Sequence, residues 1–207
     1  MVAVGAGEVS AWKVGTPSRG AEPSAAPIFG ARIQESPAQV ASGDFHMLAA
    51  EVEIAFRIGQ DLQPGCTRED VTRAVDGVVV VIELCDTRLQ DFKSATAYWK
   101  LADNQSNFGL VVGSGRRDWQ AIDFPSLTAE FHVNGTMRHS AVGAHPLGSP
   151  FNLLPWLASH IERRGSGLRR GNVITTGAWT GLEIVHPGDE VLGRFPGVGE
   201  ARVTFGY

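Results

Sequence analysis

Three glutamates are the residues of this chain whose type and spacing could do chemistry. Glu51 and Glu53 lie in residues 51–58, where apolar residues recur at every second position and predict a half-buried strand. Residues i and i+2 of a strand point the same way, so both carboxylates should project from the face opposite the apolar one. Two carboxylates so close together raise each other's pKa unless a cation lies between them.

Glu83 is a third carboxylate, near the end of residues 78–84, a continuous apolar run that predicts a strand buried on both faces. A buried carboxylate without a partner is costly. Three carboxylates and water make an oxygen-only site, which suits Mg²⁺ or Mn²⁺ rather than Zn²⁺. Spacing alone leaves another interpretation open, in which Glu51 and Glu53 line the solvated face of an edge strand and Glu83 is structural.

Lys13 is one of three lysines in the sequence and stands between Trp12 and Val14. These neighbours are not typical of a solubilising surface lysine. The residues alone leave two interpretations open, a structural lysine or a positive charge held beside a reacting group.

The elements that must position these residues are mostly strands. Further strands are predicted over residues 127–133, 171–176, 190–195 and 201–205, with Asn134-Gly135 as a strong hairpin turn after the first of them. Few helices interrupt this pattern. The predicted fold class is therefore mixed β (α+β).

Two helices are predicted between the strands. Thr67 and Asp70 have the spacing of a capping box and open a helix that should end at Gly77. Ser149-Pro150 precedes a helical pattern over residues 151–164, which Pro155 should kink.

Composition and charge exclude several classes of function. Hydrophobic residues make up 43% and charged residues 19% of the 207 residues, which is typical of a globular chain. The net charge is −4 and basic residues form no block beyond arginine pairs, so we expect no nucleic-acid partner. Two cysteines make no disulfide scaffold and no apolar run could span a bilayer, so we expect a cytoplasmic protein that binds no membrane.

The chain is predicted to divide near residue 43. Residues 1–43 are rich in Gly, Ala, Pro and Ser and predict an N-terminal arm that packs on its own core or on a neighbouring chain. Residues 44–207 carry the regular patterns and are predicted to form the catalytic domain. Lys13 lies in the arm, and the three glutamates lie in the domain.

The glutamates also belong to longer motifs. Residues 50–56 (Ala-Glu-Val-Glu-Ile-Ala-Phe), 82–88 (Ile-Glu-Leu-Cys-Asp-Thr-Arg) and 102–107 (Ala-Asp-Asn-Gln-Ser-Asn) resemble the fumarylacetoacetate hydrolase superfamily. The branch that they resemble is that of the 2-keto-4-pentenoate hydratases and 4-oxalocrotonate decarboxylases. Each motif is weak, but the matches follow the family order over nearly the whole chain. Supporting matches are residues 11–15, 145–148, 156–158, 168–178 and 188–189.

This resemblance implies a fold and a site. The fold is a mixed β-roll like the C-terminal domain of fumarylacetoacetate hydrolase, with few peripheral helices. The site holds a divalent ion, Mg²⁺ or Mn²⁺, beside an active-site lysine. The implied residues are Glu51, Glu53 and Glu83 for the metal, Lys13 and Glu35 for catalysis, and Thr176, Gly177 and Ser106 for substrate binding.

Four functions stay open under the resemblance. The first is a hydratase that adds water to a 2-hydroxy-2,4-dienoate and forms a 4-hydroxy-2-oxo acid. The second is a 4-oxalocrotonate-type decarboxylase. The third is a C–C hydrolase of the acylpyruvate or fumarylacetoacetate type. The hydrolase branch uses a histidine near the start of the domain, and none precedes His46 here.

The fourth function is that of a non-catalytic member that binds a partner. The branch carries a helical segment before its lysine motif, and this sequence starts twelve residues before Lys13 without one. The expected ligand in the catalytic cases is a small 2-oxo or 2-hydroxydienoic acid. We also expect a homo-oligomer, a dimer or larger.

Overall fold

Strands dominate the architecture, as the sequence predicts. The computed structural model describes residues 7–165 and 167–207. Over these residues the α-helices are α1 (Arg68–Ala74), α2 (Ala97–Ala102) and α3 (Leu154–Glu162). The strands are β1 (Val9–Gly15), β2 (Ser24–Phe29), β3 (Ile33–Glu35), β4 (Ala38–Ala41), β5 (Ala49–Ile58), β6 (Val75–Cys85), β7 (Asn107–Arg116), β8 (Thr128–Val133), β9 (Thr136–Val142), β10 (Val173–Thr175), β11 (Glu183–Ile184), β12 (Glu190–Phe195) and β13 (Gly199–Gly206).

Two sheets form the fold. The larger has the order β2-β1-β10-β5-β6-β7-β3, with β11 also paired to β5, and it contains parallel and antiparallel pairs. The smaller has the order β4-β13-β12-β8-β9. Because β2 also lies against β7, the larger sheet curls back on itself as a roll. The predicted mixed-β class is confirmed.

The main hydrophobic core lies between the two sheets. Val52, Ile54 and Phe56 of β5 pack there with Phe131 of the smaller sheet, and all four are fully buried. Gly193 of β12 has no side chain where it faces Val52, and a Cβ atom at this position would lie 2.6 Å from a Val52 methyl. The missing side chain lets the sheets approach closely.

The inner face of the roll holds a second, smaller cluster. Ala55, Val81, Leu110 and Val112 are buried there, on the same face of the sheet as the glutamates. Strand β5 is therefore buried on both faces, whereas its alternating pattern predicts a half-buried strand. The difference arises because the larger sheet curls into a roll, which also encloses the face of β5 that points away from the main core.

Both helices predicted from the sequence are present, but the structure corrects the extent of each. Thr67 and Asp70 form the predicted capping box of α1, but this helix ends at Ala74 because Val75 is already extended and begins β6. The predicted kinked helix over residues 151–164 is a 3-10 turn followed by α3. Pro155 lies in the first turn of α3, where its missing N–H costs no hydrogen bond.

The segment predicted as an N-terminal arm supplies strands to both sheets. Strand β1 inserts between β2 and β10 of the larger sheet, and β4 pairs with β13 of the smaller one. The division of the chain at residue 43 stays a prediction. Among the described residues, no helix combines the length and apolar character that crossing a bilayer requires.

Candidate metal centre

The three glutamates converge on the inner face of the roll. Strands β5 and β6 pair antiparallel with Glu51 directly opposite Glu83, and Glu53 follows on the same face. One carboxylate oxygen from each residue lies within 4.8 Å of the other two. Glu53 and Glu83 are 1% and 0% exposed, so the interpretation as a solvated edge strand is wrong.

Glu83 is held by two donors on one oxygen only. Its Oε1 accepts hydrogen bonds from Lys13 Nζ at 2.6 Å and from Asn107 Nδ2 at 2.9 Å. Its Oε2 is buried and has no hydrogen-bond partner in the described part of the chain. A buried carboxylate oxygen without a partner is costly, and a bound cation would satisfy it.

Glu53 is oriented by the chain that leaves β10. Its Oε2 accepts hydrogen bonds from the Thr175 hydroxyl and, at 2.8 Å, from the Gly177 N–H. Gly177 has a φ of +101°, a conformation that favours glycine. Because both donors bind Oε2, the Oε1 atom of Glu53 remains available to a ligand.

Lys13 connects the cluster to an unusual turn. Besides its ion pair with Glu83, Nζ donates a hydrogen bond to the Gln105 carbonyl at 3.0 Å. Asn104, Gln105 and Ser106 have φ values of +54°, +53° and +59°, three consecutive left-handed residues without a glycine. Backbone strain of this kind is concentrated at functional sites and persists only where surrounding contacts enforce it.

Burial and mutual repulsion shift the pKa values of the cluster. Burial, and then the charge of Glu83, raise the pKa of Glu51 to about 7 and that of Glu53 to about 8, and Lys13 only partly offsets this. Burial lowers the pKa of Lys13, but the charge of Glu83 and then the other acidic neighbours outweigh it, so its pKa lies above the usual range. Ionising all three carboxyl groups would leave more negative charge than the one lysine can neutralise, and a bound cation would offset that charge.

These pKa values predict how stability depends on pH without metal. The folded chain binds protons at Glu51 and Glu53 more tightly than the unfolded chain, so its free energy of unfolding should fall as pH rises from about 4.5 to about 8. Added Mg²⁺ should raise the melting temperature most at pH 8, where the carboxylates are ionised. Thermal unfolding at pH 5 to 8, in EDTA and in Mg²⁺, measures both effects. A melting temperature in EDTA that is constant from pH 5 to 8 would contradict them.

A cavity of about 200 Å³ opens beside the cluster. Its lining includes Lys13, Glu51, Glu53, Gln105 and Gly177. A lysine ammonium and two carboxyl groups thus border the same small space. This arrangement suits an anionic ligand that chelates a divalent ion and meets a proton donor.

The structure does not bring every predicted residue to this cavity. Glu35 ends β3, the edge strand of the larger sheet in the described residues, and its exposed carboxylate lies 3.8 Å from the Arg57 guanidinium. The Thr176 hydroxyl already donates to the Ile54 carbonyl at 2.6 Å, so Thr175 supplies the hydroxyl at the cluster. Ser106 lines a neighbouring cavity instead.

Three residues at the site escaped the sequence reasoning. Asn107 binds Glu83, Thr175 binds Glu53, and the Gln105 carbonyl binds Lys13. For Thr175 a signal existed, since its neighbour Thr176 must point to the opposite side of a strand. Asn107 and Gln105 depend on which strands become neighbours, which no local pattern shows.

Fold and site together define a mixed β-roll protein with three converging carboxylates and an adjacent lysine. Residues 14–205 match the family model for the fumarylacetoacetate (FAA) hydrolase C-terminal domain. The chain belongs to this family. The resemblance and the β-roll fold predicted from the motifs are confirmed.

Individual relatives are similar over most of this chain. A 2-keto-4-pentenoate hydratase of Paraburkholderia xenovorans is 34% identical over 163 residues, which are 77% of this chain and 60% of the relative. A 4-oxalocrotonate decarboxylase of Pseudomonas putida is 32% identical over 142 residues, which are 69% of this chain and 53% of the relative. The chain thus spans little more than half the length of these curated relatives.

A solved structure shows the same fold. The 4-oxalocrotonate decarboxylase from Pseudomonas putida G7, complexed with magnesium and adipate, has a TM-score of 0.84 and 26% sequence identity. The match covers 97% of this chain and 79% of that one.

Proposed function

We propose that this chain is a divalent-metal-dependent hydratase, a hydro-lyase that adds water to a 2-hydroxy-2,4-dienoate of the 2-keto-4-pentenoate type. The product is a 4-hydroxy-2-oxo acid. The observation that carries the proposal is the convergence of Glu51, Glu53 and Glu83 around one point, with Lys13 beside them. The hydratase relative supports this reaction.

The three glutamates fit a hard divalent cation, Mg²⁺ or Mn²⁺. All donors are carboxylate oxygens, and the unpartnered Oε2 of Glu83 needs a positive charge. When bound, the ion supplies Lewis-acid stabilisation to the carboxylate and 2-oxo end of the substrate. The decarboxylase structure with magnesium supports the same class of ion.

Lys13 lies where it can act on the carbon chain of the bound substrate. Hydration requires that the 2-hydroxyl lose its proton and C5 gain one as the dienol becomes a conjugated ketone. Water then adds across C3 and C4, with its hydroxyl on C4 and a proton on C3. The Lys13 ammonium borders the cavity, and its contacts with Glu83 and Gln105 hold it there. It can stabilise the developing anion or move a proton.

The remaining predicted residues take lesser roles. The Gly177 backbone borders the cavity, while Thr176 shapes the same loop and Ser106 lines the adjoining space. Glu35 as a second acid–base group stays a prediction that requires its strand edge to approach the ligand.

Turnover tests the proposal directly. Loss of the dienoate ultraviolet absorbance should require Mg²⁺ or Mn²⁺ and should stop in EDTA. A second candidate, supported by the decarboxylase relative and structure, is loss of CO₂ from 2-oxohex-3-enedioate. Release of CO₂ without hydration of a dienoate would favour it. A protein inert toward dienoates, the oxo-diacid and acylpyruvates, with metal bound, would indicate a non-catalytic binder.

We also propose a homo-oligomer, a dimer or larger, in the cytoplasm. Strand β9 is the edge of the smaller sheet in the described residues, and its Met137 and Val142 are 52% and 67% exposed. A second copy would cover these apolar side chains. Light scattering should give at least twice the chain mass, and Met137→Glu with Val142→Lys should reduce it. The free thiols of Cys66 and Cys85 suit a reducing compartment.

A further inference from the structure

A second cavity adjoins the metal centre. Its volume is about 390 Å³, and it shares Ser24 and Gln105 with the cavity at the glutamates. The rest of its wall is mainly apolar and comes from Phe92 and from Tyr98 and Leu101 of α2. We call it the α2 cavity. The two cavities therefore adjoin at Ser24 and Gln105.

Gln105 lines both cavities, and we call its position the neck. Its backbone is left-handed, and its carbonyl is engaged by Lys13. Its side-chain Nε2 is buried and has no hydrogen-bond partner in the described residues. A buried donor without an acceptor is unfavourable, and a ligand oxygen at the neck would satisfy it.

The chemistry of the wall distinguishes between kinds of ligand end. Among the described residues, Lys100 is the one charged residue that lines the cavity, and its ammonium lies over the Phe92 ring, 5.1 Å from the ring centroid. Phe92, Tyr98 and Leu101 offer apolar contact beneath it. An alkyl chain or an aromatic ring matches this wall better than a hydroxylated or phosphorylated end.

We propose that the α2 cavity is the subsite for an apolar substituent on C5 of the substrate, so that the substrate is a 2-hydroxydienoate with an alkyl or aryl tail. This inference rests on the proposed function, because the metal centre must hold the oxo-acid end. It assigns specificity to α2 and to the neck residue Gln105. An unsubstituted pentadienoate would leave the α2 cavity empty.

Binding of unreactive 2-oxo acids tests the subsite without turnover. Calorimetry with the Mg²⁺-loaded protein would compare 2-oxopentanoate, 2-oxohexanoate and 2-oxooctanoate. Each methylene beyond C5 should lower Kd by about two- to fourfold, as expected for partial to full burial of a CH₂ group. A Kd that does not change with length would overturn the proposal.

Two matched variants on α2 localise the effect. Leu101 lines the cavity, whereas Trp99 lies on the same short helix, is 63% exposed and does not line it. Leu101→Ala should weaken binding of 2-oxooctanoate but not of 2-oxopentanoate, and Trp99→Ala should change neither. If both variants weaken both ligands and lower the oligomer mass in light scattering, α2 is a subunit contact and the proposal is wrong.

A third variant examines the neck. Gln105→Leu keeps the size of the side chain and removes the unpartnered donor, so it should weaken all three oxo acids by a similar factor. Unchanged affinities would remove Gln105 from the subsite.

Failure of the subsite is distinguishable from failure of the proposed function. If 2-oxopentanoate does not bind in Mg²⁺, the proposed function fails and the subsite fails with it. If unsubstituted pentadienoate is hydrated and Kd is independent of tail length, the function stands and the subsite fails.

Discussion

Lys13→Met should lower kcat for dienoate hydration by ~10²–10⁴ while Mg²⁺ binding is retained, because methionine keeps the apolar stem and removes the ammonium. The side chain is 15% exposed and lies at the cavity, where its charge acts with little screening by water. Turnover by ultraviolet absorbance and Mg²⁺ affinity by calorimetry separate chemistry from metal binding.

The controls for this prediction follow from the ion pair. Lys93→Met alters an exposed lysine outside the site and should leave kcat unchanged. Glu83 loses one of its two donors in Lys13→Met, so the metal-free variant should melt at a lower temperature and Mg²⁺ should restore it. Turnover at the wild-type rate would remove lysine from the mechanism.

Glu53→Gln should weaken Mg²⁺ binding by more than ~10²-fold. Loss of groups that only support metal ligands costs ~10–100-fold in affinity, and Glu53 is itself one of three charged donors. The substitution keeps the shape of the side chain, and its amide oxygen can still accept from the Gly177 N–H. Calorimetric titration with Mg²⁺ measures the change.

The same variant should have the opposite effect on stability. Without metal, Glu53→Gln removes a buried carboxylate that repels Glu51 and Glu83, so the melting temperature in EDTA should rise at pH 8. It should also weaken the dependence on pH described above. Glu35→Gln is the matched control, because this exposed carboxylate lies outside the cluster and should not affect Mg²⁺ affinity. Equal affinities of wild type and Glu53→Gln would exclude Glu53 as a ligand.

The sequence by itself determined those features that depend on neighbours along the chain. The capping box of Thr67 and Asp70 involves residues three apart, and Asn134-Gly135 encloses its own turn with two positive φ angles. The buried character of residues 78–84 follows from their continuous apolar composition. Glu51 and Glu53 point the same way because a strand has a period of two. These signals are local, so no tertiary contact was needed to read them.

Only the tertiary structure decided what surrounds the carboxylates. Strand β5 has the pattern of a half-buried strand, but its neighbours β10 and β6 place it in the centre of a curled sheet and bury Glu53. Glu83 stands opposite Glu51 only through the register of β5 with β6. Lys13 reaches the cluster because β1 pairs in parallel with β10, which sets it beside Thr175, distant in sequence.

Glu35 is a residue that the sequence implies for the site but that the fold places elsewhere. The family resemblance implies a catalytic carboxylate at this position, but β3 is an edge strand of the larger sheet and Glu35 forms an exposed ion pair with Arg57. Motifs and residue types predict which groups a site needs. Which of them meet depends on strand order and register, and these are set by the burial of apolar surface over the whole fold.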